Sequence, residues 1–112
     1  MDVSFSTVKL QKLCSSEKAI IRAFGPECAK RLQRRLAELA AVHALADMMA
    51  LPQARCHALV GGRNGQFAVD LKHPKRLVFE PADDPLPKKD DGGLDLKAIH
   101  SVRILEVVDY HG

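Results

Sequence analysis

Near its C-terminal end the sequence reads VVDYH, which sets a carboxylate (Asp109), the only tyrosine (Tyr110) and an imidazole (His111) side by side. Read as the end of a strand, VRILEVVDYH sends Asp109 and His111 to one face and Tyr110 to the other. An acid and an imidazole at the open end of a strand are natural proton-transfer groups, although a polar terminus that frays into water has the same composition. A second imidazole, His57 in ARCHALVGG, ends another strand-like run just before a glycine turn. Taken singly it is either a hydrogen-bonded structural histidine or a catalytic group. Arg76 in PKRLVFE falls inside sheet-forming sequence, where a guanidinium must face a carboxylate, solvent or an anionic ligand.

The elements that must position these residues come in two halves. MDVSFS alternates apolar and polar residues as a short edge strand does. Helical pattern follows: Ser6 is placed to cap a helix carrying Val8, Leu10 and Leu13, and Ser16 to cap EKAIIRAF, which stops at Gly25. Pro26 and Glu27 open the longest helix, PECAKRLQRRLAELAAV. Spacings of three and four put Ala29, Leu32, Leu36, Leu39 and Ala40 on one side of it and Lys30, Arg31, Arg34 and Arg35 on the other. HALADMMA gives one more short helix before Pro52. Beyond it RCHAL, QFAVDLK, KRLVFE and SVRILEVVDY read as strands, with turns at Gly61–Gly65 and His73-Pro74. Helices first and strands second imply an α+β fold, with the N-terminal helices on one face of a small, mainly antiparallel sheet. PADDPLPKKDDGGLDLKAIH has no period of its own beyond one possible helical turn at LDLKAI, so residues 81–100 read as a long mobile loop in a single domain, 1–112.

Composition narrows the chemistry. Residues 1–80 hold 13 Lys+Arg against 7 Asp+Glu, whereas residues 81–98 hold three lysines against five aspartates, so the net charge of +3 hides a basic first part. That distribution favours a polyanionic partner. Lys30, Arg31, Arg34 and Arg35 form either a solvated helix side or a rail for phosphates, and Arg63, Lys72 and Lys75 add cations around the strands. Neither G-x-x-x-x-G-K-[ST] nor a strand-linked G-x-G-x-x-G is present, so nucleotide-dependent chemistry has no support. The three cysteines show no C-x-x-C pairing and read as reduced structural thiols. His43, His73 and His100 lack metal-ligand spacing, and no metal or other cofactor is expected. With neither a bilayer-length apolar run nor a secretory leader, a cytoplasmic location is expected.

Taken in order, the basic helix ending in RLAEL, the helix ALADM, His57 before LVGG, the pair QFAVDLKHPKRLVFEP and the terminal VVDYH resemble toxins of the RelE superfamily. The likeness is to the HigB or plasmid maintenance killer branch of type II toxin–antitoxin systems. It implies a RelE/ParE-like fold and a ribosome-dependent endoribonuclease that cuts mRNA to stop translation. It also implies neutralisation by a HigA-like helix-turn-helix antitoxin, with DNA met only through that antitoxin and no membrane partner. His57, Arg76, Asp109, Tyr110 and His111 fall on the matching active-site positions. Attack of a ribose 2′-hydroxyl on the adjacent phosphate needs a base, an acid for the leaving 5′-oxygen and positive charge for the developing phosphorane. The two histidines supply the acid–base pair in either order. Asp109 orients an imidazole or accepts the proton, Arg76 meets the phosphate charge, and Tyr110 stacks on a base or anchors the tail. Where related toxins carry a lysine after the strand histidine this chain has Val60, and Phe67 stands in place of their tryptophan; Lys72, Lys75 and Arg63 are the cations able to substitute. Two rival classes are a ParE-like toxin that binds a protein target such as DNA gyrase without chemistry, and a non-catalytic nucleic-acid-binding domain using the basic helix.

Overall fold

Alternation of Val3 and Phe5 with polar neighbours makes strand β1 (Asp2–Phe5). Four helices follow, α1 (Val8–Cys14), α2 (Glu17–Phe24), α3 (Pro26–Ala41) and α4 (Leu45–Met49), and then strands β2 (His57–Ala58), β3 (Phe67–Asp70), β4 (Lys75–Pro81) and β5 (Ser101–Asp109). The computed structural model describes residues 1–109; Tyr110 and His111, both expected in the active site, lie outside the described residues. Among the described residues no helix is long and apolar enough to cross a membrane.

Local chemistry accounts for most boundaries. Ser16 Oγ accepts from the Ala19 N–H at 3.2 Å and starts α2 as expected. The cap of α1 is Thr7 rather than Ser6, its Oγ1 accepting from the Leu10 N–H at 3.0 Å. Ser6 instead extends the sheet, its N–H donating to the Ile104 carbonyl and its hydroxyl to the Leu105 carbonyl. Gly25, at φ 85°, lets α2 turn directly into α3, whose first residue is Pro26.

The sheet runs β1-β5-β4-β3-β2, parallel between β1 and β5 and antiparallel elsewhere. The protein is thus α+β with a mostly antiparallel sheet, as its sequence implies. Phe67, Val69, Leu77, Phe79, Val102 and Ile104 join Ile20, Leu32, Leu39, Leu45 and Met48 in one core between helices and sheet. The alternate positions Ala68, Asp70, Arg76, Val78, Glu106 and Val108 fall on the opposite face. Register shifts by one residue on β5: Val78 pairs with Glu106 but Phe79 with Ile104, so Leu105 is the extra residue of a bulge. Simple alternation from Val102 and Ile104 would put Val107 and Asp109 on the open face. The bulge instead turns Val107 to the core and Asp109 to the helix side, across from Lys75.

Two further expectations are corrected. Arg35 does not join the solvated basic side of α3. It is buried at 5% exposure among Cys28, Ala29, Leu32 and Leu39, while Ala40, expected inside, is exposed. Positions 28, 32, 35 and 39 are one helical stripe, so Arg35 takes a core position and its donors must find acceptors there. Nε donates to the Asp70 carbonyl at 2.9 Å, Nη2 to the Gln53 carbonyl at 2.8 Å and Nη1 to Glu38 Oε1 at 2.7 Å.

The loop at 81–100 also carries more structure than its composition suggests. Beyond the helical turn expected at LDLKAI, found as a 3-10 turn at Leu96–Ala98, Lys88 and Leu94 form an isolated bridge, and Leu94 and Leu96 pack against the core. Asp83 anchors its return, accepting from the His100 and Ser101 N–H groups and the Ser101 hydroxyl at 3.0–3.2 Å. Burial opposes the Asp83 charge, but these hydrogen bonds outweigh it and hold the carboxyl below its ordinary range.

Arg35→Met should lower stability by about 3 kcal/mol in urea denaturation, because it strands two carbonyls and a carboxylate in the interior. Arg31→Met, at an exposed position of the same helix, should stay within about 0.5 kcal/mol of the wild type. Asp83→Asn should cost about 1 kcal/mol at neutral pH. Since the folded pKa is lowered, that difference should persist above the ordinary carboxylate range and disappear as pH falls through the folded value.

Candidate active site

Arg76 pairs in register with Asp70 on β3 and with Val108 on β5, and His57 pairs with Ala68, so the imidazole and the guanidinium meet diagonally on the open face. Arg76 Nη1 stands 3.3 Å from His57 Nε2, and His57 Nδ1 lies 2.8 Å from the Arg55 carbonyl. A guanidinium can only donate and a carbonyl can only accept. Nδ1 therefore carries the ring hydrogen, and Nε2 offers its lone pair to Arg76.

The carbonyl that fixes this tautomer belongs to a residue in the left-handed region, since Arg55 has φ 49°. For a residue with a Cβ that conformation costs on the order of 1–2 kcal/mol. Two tethers hold the segment in place. The Ala54 carbonyl accepts from the Asp70 N–H at 2.9 Å, and Arg55 Nε meets Asp70 Oδ2 at 3.1 Å. The other carboxylate oxygen of Asp70 is 3.8 Å from Arg76 Nε. One acid thus bridges two arginines and orients the guanidinium that faces His57.

Two open hollows flank this group. One, of about 470 Å³, is lined by Arg31, Arg35, Arg55, His73, Lys75 and Arg76, with Asp70 its one acid among the described residues. The other, of about 560 Å³, is lined by Arg55, His57, Val60, Asp70 and Arg76 among others. Concave, cation-rich walls beside an imidazole whose Nε2 lone pair faces a displaceable guanidinium suit an anion that must exchange a proton.

The expected residues divide as follows. His57 and Arg76 come together. Asp109 is on the neighbouring strand with its Oδ1 2.7 Å from Lys75 Nζ, and the group orienting His57 is the Arg55 carbonyl instead. The Asp109 hydrogen bond pushes the Lys75 ammonium above the ordinary lysine range. The Lys75 side of that pair therefore contributes fully at neutral pH, and its contribution is lost as pH rises through the raised value. Lys72 is paired with Glu27 at 2.8 Å, an ammonium hydrogen bond that holds the Glu27 carboxyl low, and Arg63 is paired with Glu106 at 3.0 Å. Lys30, Arg31 and Arg34 are exposed, and of these Arg31 lines the first hollow.

Arg55 and Asp70 were not anticipated. The signal for both is modest: Arg55 stands two residues before His57, and counting outward from the His73-Pro74 turn places Asp70 opposite Arg76. Cys56, next to His57, is no nucleophile, because burial pushes its thiol up to about 12. Among the described residues no group of three or more His, Cys, Asp and Glu is arranged to hold a metal ion. Compared with known proteins, the chain matches no protein-family model and no curated sequence.

Native protein treated with iodoacetamide at pH 8 should leave Cys56 unmodified by mass spectrometry, and the same treatment in urea should label all three cysteines.

Proposed function

We propose that this chain is a RelE-superfamily toxin of the HigB type, a metal-independent, ribosome-dependent mRNA endoribonuclease of the cytoplasm held silent by a helix-turn-helix antitoxin. The observation that carries the reading is the 3.3 Å approach of Arg76 to the lone-pair nitrogen of His57 between two cation-lined hollows. The sheet order and the helices on one face fit a RelE/ParE-like fold.

In the proposed reaction the scissile phosphate enters at Arg76, whose guanidinium turns from His57 to the non-bridging oxygens. His57 Nε2, an acceptor in this tautomer, takes the 2′-hydroxyl proton as that oxygen attacks phosphorus. The P–O5′ bond breaks, and His111 gives its proton to the departing 5′-oxygen, leaving a 2′,3′-cyclic phosphate and a free 5′-hydroxyl. Arg55 supports the imidazolium through its carbonyl, a stronger acceptor for a charged N–H than for a neutral one. Tyr110 stacks against a base beside the cleaved phosphate. Asp109 acts from the neighbouring strand by holding Lys75 at the rim of the first hollow. The cations of α3 contact the RNA backbone more remotely.

Induction without the neighbouring antitoxin should arrest growth and cleave ribosome-bound mRNA. His57→Ala and Arg76→Ala should each lower the cleavage rate by about 10²-fold or more with an unchanged circular dichroism spectrum. Toxicity undiminished in both variants would instead favour a non-catalytic protein- or nucleic-acid-binding mode.

A further inference from the structure

Ala68 and Val78 lie on the sheet face opposite the helices, yet they are only 0% and 1% exposed. They form part of the floor of a third open hollow of about 450 Å³, together with Val108. The turn after β2 folds back over this face, so that Leu59, Val60 and Arg63 make one wall of the hollow while Arg76 stands at another. Arg63 is held rather than extended into water. Its Nη1 donates to Gln66 Oε1 at 2.8 Å and its Nη2 to Glu106 Oε2 at 3.0 Å. Glu106 is on β5, directly across from Val78, which is in turn across from Ala68. The guanidinium therefore reaches from the β2–β3 turn across β3 and β4, above the two small apolar residues.

We propose that the Arg63–Glu106 pair is a displaceable strap, and that the hollow beneath it receives a nucleobase of the RNA. The inference rests on the nuclease reading and adds Glu106 as the residue that controls entry. Both partners of the pair are about half exposed, with side chains at 40% and 47%. So exposed an ion pair is weak, whereas arginine meets phosphate through two parallel charge-assisted hydrogen bonds. An incoming phosphate thus takes Arg63 from Glu106, and a second guanidinium joins Arg76 on the substrate. The floor is apolar, and Val60, which lines the hollow together with Arg63 and Arg76, is 84% exposed, an unfavourable position for an aliphatic group in water. A base laid in the hollow against Val60 removes that exposed surface from water and offers its face to a guanidinium plane.

The test is the affinity for a short single-stranded RNA with 2′-O-methyl sugars, which binds without being cut, read by fluorescence anisotropy at fixed low salt. Glu106→Gln should tighten binding about two- to fivefold relative to Glu17→Gln, a charge-matched change on α2 in the helix layer. Arg63→Gln should weaken binding and remove the gain when combined with Glu106→Gln. Equal affinities for Glu106→Gln and Glu17→Gln, or a gain that survives Arg63→Gln, would overturn the strap. Absence of binding by every variant would overturn it as well, while the nuclease reading stands or falls separately on toxicity of the His57 and Arg76 variants.

Discussion

A single buried guanidinium sets the geometry on which the site depends. Arg35 occupies a core position of α3, where its charge is tolerable only if every donor has a partner. The partners it finds are the last carbonyl of β3, a carbonyl in the segment before β2, and Glu38, which Gln53 holds in turn with a 3.0 Å hydrogen bond. Satisfying Arg35 therefore fixes three pieces of chain relative to one another. Two of them carry Asp70 and Arg55, which orient Arg76 and His57.

The same economy of acceptors explains the strained backbone at Arg55. A left-handed conformation at a residue with a Cβ persists only where the surroundings over-determine it. Here the Ala54 carbonyl, the Arg55 side chain and the Arg55 carbonyl are each engaged, by the Asp70 N–H, the Asp70 carboxylate and the His57 ring. The result is an imidazole whose tautomer is set by backbone geometry rather than by a carboxylate.

Around this centre several cations are held in ion pairs, Lys72 with Glu27, Lys75 with Asp109, Arg63 with Glu106 and Arg55 with Asp70. Exposed pairs of this kind contribute little to stability. They leave a positive field whose cations can exchange one anionic partner for another, which is the property a phosphate-binding surface requires.

Much of this was legible in the sequence. Period-2 and period-3.6 patterns act locally, so the α+β class, the order of helices and strands, the caps at Ser16 and Pro26, and the hairpin that brings β3 to β4 followed from residue types alone. His57 and Arg76 stood out because a polar group in strand sequence needs a partner. What pattern could not supply was long-range accounting. Arg35 reads as a surface cation until the carbonyls of residues 53 and 70 arrive to accept its hydrogen bonds. Asp109 meets Lys75 only because one extra residue at Leu105 turns it to the helix side of the sheet. Arg63 and Glu106, 43 residues apart, meet only because β5 pairs with β4. Local propensity is written in neighbouring residues, but the partner of a buried or bridging charge is chosen by which strands and helices the shared core brings together.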